Sequence, residues 1–267
     1  MIRNIVKWGL RKVPLGLVRP ILAIWAWTFR ERVARRAWEA SQGKVVGGPF
    51  RGLEIPLETR WSGAQSTFAK LQGNYESFFL EGLTSRKWGV FIDVGCADGY
   101  YMKGMLESGF CHRAIGFELD AEARNQATSN LQDHCGRFEL LGGANEASLN
   151  RILDQEKTLI DGKTDGLILM DIEGAEYELI LSVLTGLQDW SVAVEFHDLD
   201  DNQHNLRAVT EGLSKSHNLS WSADHRQPLW TQDLRLSGAA WMTEDEFGIA
   251  LGTGRTQPQL FLLATPK

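Results

Sequence analysis

Cysteine is scarce: three residues, Cys96, Cys111 and Cys135, in a chain of 267. An odd count with no CxxC pair and no zinc spacing argues against a disulfide framework and points to a reduced, cytoplasmic setting. Long hydrophobic runs are also missing. The most apolar stretch, "VPLGLVRPILAIWAW" (13–27), is broken by Pro14, Arg19 and Pro20. It falls short of the roughly 18 residues that a spanning helix needs. No small-x-small cleavage site follows it, so it makes a poor secretory signal. There is no internal repeat and no low-complexity tract. The GxGxxG fingerprint of dinucleotide sites is absent, as is an Asn-Pro-Pro-Tyr base-methylation motif. His112, His134, His204, His217 and His225 show no metal-ligand spacing.

What is present supports an ordinary folded core. The chain is 43% hydrophobic, and its length suits one α/β domain with a modest extension. The net charge of -6 is unevenly spread. Residues 1–40 hold nine Lys and Arg against Glu31 and Glu39, a local charge of +7, and the remainder carries -13. A body this acidic is expected to repel nucleic acid, so no nucleic-acid partner is expected. Residues 1–44 read as a basic, Trp-bearing helical arm, and 45–267 as the main domain. The arm is expected to pack on the domain or on a second subunit, which leaves a homodimer open. Basic residues mixed with Trp and Leu also suit peripheral contact through residues 1–40 with an anionic membrane, at its inner face.

Within the arm, 30–42 reads as a polar helix. Glycines, prolines and short β-type runs mark 45–60 as a small hairpin or irregular cap, and 66–83 as helical. From 89 onward strands and helices alternate. Short apolar runs ending in turn residues occur at 89–95, 113–120, 137–144, 165–174, 191–199, 219–223 and 259–266. Helical patterns lie between, including 100–108, 121–131 and the Leu179, Ile180, Val183, Leu184, Leu187 stripe. This alternation predicts a mostly parallel sheet with helices on both faces. In such sheets ligands bind at the carboxyl ends of the strands, where Asp93, Glu118, Asp171 and Glu195 fall.

"DVGCADGYY" (93–101) follows the first of these strands. Gly95 and Gly99 allow a close backbone approach, but Ala97 and Tyr100 occupy the other glycine places of a pyrophosphate cradle. Asp93 and Asp98 place negative charge where a phosphate would sit, which is electrostatically wrong. A cationic ligand fits better. S-adenosylmethionine carries a sulfonium and an ammonium that such acids attract. Glu118, 23 residues after Gly95, suits both ribose hydroxyls. Cys96 reads as a small buried turn residue of this loop rather than a nucleophile.

At these residues the chain resembles a known family. "FIDVGCADGYY" with "GFELD" is similar to the cofactor motifs of class I S-adenosylmethionine-dependent methyltransferases. "LILMDIEGAEYELI" (167–180) resembles the Asp-x-Glu-Gly-x-Glu signature of the FkbM family, "VAVEFHD" (192–198) its next strand and "LQGNYE" (71–76) its segment ahead of the first motif. The resemblance covers roughly 45–265. It implies a Rossmann-like class I methyltransferase fold with a seven-stranded sheet. It also implies O-methylation of a hydroxyl on a sugar, glycan or natural-product small molecule. The cofactor contacts it implies are Glu76, Asp93, Gly95, Cys96, Asp98, Gly99, Glu118, Leu119, Asn145 and Asp171.

A hydroxyl acceptor has to lose a proton, and a general base contributes about 10²–10⁴-fold. The candidates are Asp171, Glu173, Glu195 and His197. His197, with an ordinary pKa of about 6.5, suits the role. It alternates with Glu195 on one strand, so the two should share a face. Asp171 and Glu173 also precede a helix whose dipole favours carboxylates, and Glu176, on its first turn, would hold the loop by hydrogen bonds. Asp171 with Glu195 would suit a divalent cation such as magnesium, but no complete ligand set is visible and no metal is assigned. Residues 241–263 read as a lid or acceptor wall before the final strand, with Trp230, Trp241 and Arg255 lining an acceptor pocket. Two rival functions remain: a catalytically silent S-adenosylmethionine-binding adaptor acting through the arm, and a nicotinamide-dependent oxidoreductase, which the missing GxGxxG disfavours.

Overall fold

The computed structural model describes residues 15–59, 61, 63–157, 159–160, 163–199, 201–223 and 260–267. Trp230, Trp241, Arg255 and the expected wall up to 259 lie outside these residues, as does the arm up to 14.

A seven-stranded sheet organises the chain. Its strands are β1 (Trp88–Val94), β2 (Cys111–Phe117), β3 (Phe138–Leu141), β4 (Gly166–Met170), β5 (Ser191–Phe196), β6 (His217–Ala223) and β7 (Leu260–Pro266). Their spatial order is β3-β2-β1-β4-β5-β7-β6. All neighbours are parallel except β7, which runs antiparallel to both β5 and β6. The central strands read as continuous apolar runs because both of their faces are covered. A separate two-rung ladder joins Leu159–Ile160 to Lys163–Thr164.

Alternate residues feed two cores. Phe91, Ala114, Leu167, Leu169 and Ala193 pack on one face of the sheet. Against them lie α1 (Leu15–Ser41), α2 (Ala64–Gln72), α3 (Ser77–Leu83) and α4 (Tyr100–Glu107). Ile92, Val94, Ile168, Met170, Val192 and Val194 face the other way. There they meet α6 (Glu146–Gln155), α7 (Glu176–Val183) and α8 (Gln203–Ser214). The remaining helix, α5 (Ala121–Asn130), follows β2 and starts at Asp120, whose side chain accepts the Ala123 amide.

Two local expectations change. From Leu15 to Ser41 the arm is one continuous 27-residue helix that runs through Pro20. Its second half is part of the domain core, because Val33, Ala34 and Ala37 are buried with Val45, Phe50 and Phe68. The segment expected as one helix over 66–83 is two, separated at Gly73. Gly73 adopts φ 71°, and a Cβ there would lie 2.1 Å from the Gly47 carbonyl oxygen. Residues 45–59 form an irregular cap, with an isolated bridge from Lys44 to Glu54. The cap drives Phe50 into the core beside Tyr100. Among the described residues, no helix is long and apolar enough to cross a membrane.

Candidate active site

Strand register builds the site. Val94 pairs with Phe117 on one side and Met170 on the other, and Met170 pairs with Val194. The next residue of each strand is therefore Gly95, Glu118, Asp171 and Glu195, in one row at the carboxyl edge of the sheet. The row crosses the boundary between β1 and β4, where the strand order reverses. Open α/β sheets place their ligand crevice there.

The β1–α4 loop occupies one half of the row. Gly95 has φ 93°, and a Cβ there would meet the Asp171 carbonyl oxygen at 1.9 Å, so no other residue fits without moving β4. Ala97 is also left-handed, at φ 48°. Its amide donates to Glu118 Oε2 at 3.0 Å, and the Asp120 amide donates to Glu118 Oε1 at 2.8 Å. Two backbone donors thus hold the Glu118 carboxylate in place while each oxygen keeps a further lone pair. Leu119 beside it is 82% exposed, an apolar surface next to the carboxylate.

Asp93 lies beneath this loop, 2% exposed. Its Oδ2 finds no hydrogen-bond partner among the described residues. Burial, reinforced by the charges of Asp98 and Glu118, pushes its pKa up to about 8. A buried acid left this way is short of a cation or a donor. Asp98 is also buried, and its carbonyl accepts from Asn130 Nδ2 at 2.9 Å. Gly99, with φ 79°, ends the loop as the N-cap of α4. Cys96 is buried, and burial holds its thiol well above the usual range, which disfavours the thiolate form there. Asn145 spends its side chain on a capping box at the start of α6, accepting the Ser148 amide at 3.0 Å.

The other half of the row is built around His197. Its Nδ1 lies 2.8 Å from Glu176 Oε1. Its Nε2 faces Glu195 Oε1 at 3.3 Å, Glu173 Oε2 at 3.4 Å and Asp171 Oδ1 at 3.7 Å. Burial alone would lower the imidazole pKa. The Glu176 hydrogen bond, the Glu195 contact and the Asp171 charge outweigh it and push the value up to about 11. His197 is therefore an imidazolium at neutral pH, which the ordinary value of about 6.5 does not suggest. Asp171 is driven well above its usual range by burial and the charges of Glu195 and Glu76, against the lowering pull of His197. Glu76, at φ 48°, accepts the Tyr101 hydroxyl and so joins the loop half to this half. The donor atoms of Asp171, Glu173 and His197 lie within 4.8 Å of one another, a nest for positive charge that the imidazolium itself supplies.

Among the described residues, Gly95, Glu118, Asp171 and Glu195 stand in the row and the other residues picked out by sequence lie on the segments bordering it, whereas Trp230, Trp241 and Arg255 lie outside the described residues. Two contributors are clearer in the structure. Tyr101 tethers Glu76, and Lys70 lies over the rings of Tyr100 and Tyr75 at 4.6 and 5.1 Å. No sequence spacing announces either contact.

The strand order, with one antiparallel strand inserted beside the last parallel one, is that of the Rossmann-like class I methyltransferase fold. No protein-family model matches the chain, and no curated protein matches it by sequence. The FkbM resemblance therefore rests on the residues quoted above. Several solved structures are similar in backbone. One is Streptococcus pneumoniae Sp1610, a proposed tRNA (m1A22) methyltransferase in complex with S-adenosyl-L-methionine: 14% identity, 70% of this chain and 71% of that chain, TM-score 0.43. Another is an rRNA methylase from Streptococcus thermophilus: 12%, 72% and 96%, TM-score 0.45. A third is precorrin-6y C5,15-methyltransferase from Geobacter metallireducens: 13%, 73% and 89%, TM-score 0.45. One expectation is corrected here. Similar structures include RNA methyltransferases, so a net acidic body is no ground for excluding a nucleic-acid partner. The restriction to a small-molecule or glycan acceptor is withdrawn with it.

Proposed function

We propose that this chain is an S-adenosylmethionine-dependent methyltransferase of FkbM type that acts on an acceptor hydroxyl. The observation that carries the reading is Asp93: a buried carboxylate with an orphaned oxygen under a glycine loop, in a row with Glu118 and Asp171 at the switch point. That chemistry fits a cationic ligand with a ribose. The residues that would hold it are Asp93 and Asp98 toward the ammonium, Glu118 toward the ribose hydroxyls and Leu119 against the base. When bound, the cofactor supplies a methyl group on a positively charged sulfur, already activated for transfer. The protein's task is then to place the acceptor, exclude water and take up a proton.

The β4–β5 half of the row suits the proton. Asp171 is a carboxylate with a raised pKa, which makes it a stronger base than an ordinary aspartate. The His197 imidazolium beside it stabilises the anion that an acceptor hydroxyl becomes. Glu195, 1% exposed, balances the imidazolium from the sheet side. An acceptor oxygen needs this proton sink, which favours O-methylation.

The test is calorimetric titration with S-adenosylmethionine, S-adenosylhomocysteine and NADH. Micromolar binding of both sulfur ligands and none of NADH is expected. Absence of both sulfur ligands would overturn the reading. Asp171→Asn should then keep cofactor affinity and lose turnover, measured as S-adenosylhomocysteine released with hydroxyl-bearing acceptors. Full turnover would remove Asp171 from the chemistry.

A further inference from the structure

We infer that Glu176 is a positioning residue: by accepting the Nδ1 proton it fixes the direction of the His197 ring, so that Nε2 points at the acceptor end of the site. The inference rests on the proposed function for its purpose, but its geometry stands by itself.

Glu176 is 0% exposed, on the first turn of α7. A buried carboxylate needs several donors to remain charged. It has three. The Ile172 amide donates to Oε1 at 3.1 Å, and the Gly174 amide donates to Oε2 at 2.9 Å. His197 supplies the third through Nδ1 at 2.8 Å. Burial would raise Glu176, but the His197 and Gly174 hydrogen bonds outweigh it and hold its pKa below the usual range. An ionised carboxylate only accepts, so the proton on this hydrogen bond belongs to Nδ1. The backbone that carries the ring is held as well: the His197 carbonyl accepts the Tyr177 hydroxyl at 2.8 Å.

With Nδ1 committed, Nε2 is the only ring nitrogen left for chemistry. It faces Asp171 and Glu195 of the row, where an acceptor would meet the methyl group, and Glu173 beside them. A carboxylate that orients an imidazole through one nitrogen while the other works is the logic of nucleophile–base–orienter sites. The same Glu176 that closes the 172–174 turn therefore also sets the direction of a side chain 21 residues away. The turn and the histidine are one unit.

The experiment is imidazole nitrogen and proton NMR on the full chain, with His197→Gln used to assign the signals. In the native protein we expect an Nδ1 proton in slow exchange and an imidazolium that persists above pH 9. Glu176→Gln keeps the shape and removes the charge. A neutral amide oxygen accepts more weakly than a carboxylate, so the variant should speed exchange of the Nδ1 proton and lower the His197 titration midpoint by about one unit or more. Glu176→Asp, one methylene shorter, should restore part of the shift but not the slow exchange. Unchanged His197 signals in Glu176→Gln would overturn the inference and leave Glu176 as a loop brace only. If Glu176→Gln does not fold, a rapidly exchanging Nδ1 proton in the native protein would overturn it equally. Titrating S-adenosylhomocysteine into the same samples separates the two claims. A protected Nδ1 proton without ligand binding would sink the methyltransferase reading and leave the positioning contact standing.

Discussion

Gly95 and the Asp171 carbonyl are in contact across two strands: a methyl group added to Gly95 would sit 1.9 Å from that oxygen. One end of this contact opens the candidate cofactor loop, and the other begins the turn that carries the candidate acids. Gly95→Ala should therefore damage both halves of the site. Left-handed backbone strain and overpacking each cost about 1–3 kcal/mol. The expected result is a thermal midpoint lower by roughly 4–12 °C and no measurable S-adenosylmethionine binding. A variant with native stability and affinity would mean that β1 and β4 are less tightly coupled than this contact requires.

Glu118→Ala removes a charged acceptor from the ribose and two braces from the loop. Hydrogen bonds to charged groups contribute about 1.5–3 kcal/mol, so S-adenosylmethionine affinity should fall roughly ten- to hundredfold. Calorimetry reads this directly. Unchanged affinity would remove Glu118 from the ribose.

The pH dependence of stability follows from Asp93 and His197. Asp93 is raised from 3.8 to about 8 and His197 from 6.5 to about 11. In each case the folded state holds its proton to a higher pH than the unfolded chain does. The stabilising contribution of Asp93 is complete below about 4 and is lost as pH rises through about 8. That of His197 is complete below about 6.5 and is lost toward 11. The thermal midpoint of the ligand-free protein should therefore fall between pH 5 and 9, and Asp93→Asn should flatten the acid part of that fall. A midpoint that rises with pH across this range would contradict the assignment of both groups.

The arm divides at its middle. Trp25 and Trp27 are 43% and 50% exposed, whereas Val33, Ala34 and Ala37 are buried in the domain core. Removing residues 1–24 should leave stability and cofactor affinity close to native. Removing 1–40 uncovers core and should lower the thermal midpoint by well over 5 °C, because truncating buried apolar groups costs about 1–3 kcal/mol each. Equal behaviour of the two truncations would show that the second half of α1 adds no stability.

Much of the site was legible along the chain because strand ends are local features. An apolar run closing on Asp93-x-Gly95, or on Glu118, is written in consecutive residues. Apolar alternation with helices likewise predicts a parallel sheet. What consecutive residues cannot express is the row itself. Gly95, Glu118, Asp171 and Glu195 become neighbours only through register across β2, β1, β4 and β5. The protonation of His197 is a second case. Read alone it is a histidine near neutrality; ringed by Glu176, Glu195, Asp171 and Glu173, it becomes a fixed cation.

The arm shows the same division from the other side. Pro20 and the change from apolar to polar residues near 30 mark a break in the sequence, yet the backbone continues as one helix from 15 to 41. Packing of Val33, Ala34 and Ala37 on the domain supports the part of the helix after residue 30, where the pattern turns polar. The sequence by itself determined which residues end strands, which turns need glycine and which acids crowd one edge. Tertiary structure decided which acids face each other and where their protons reside, because those depend on distance and burial, and only the folded sheet sets either.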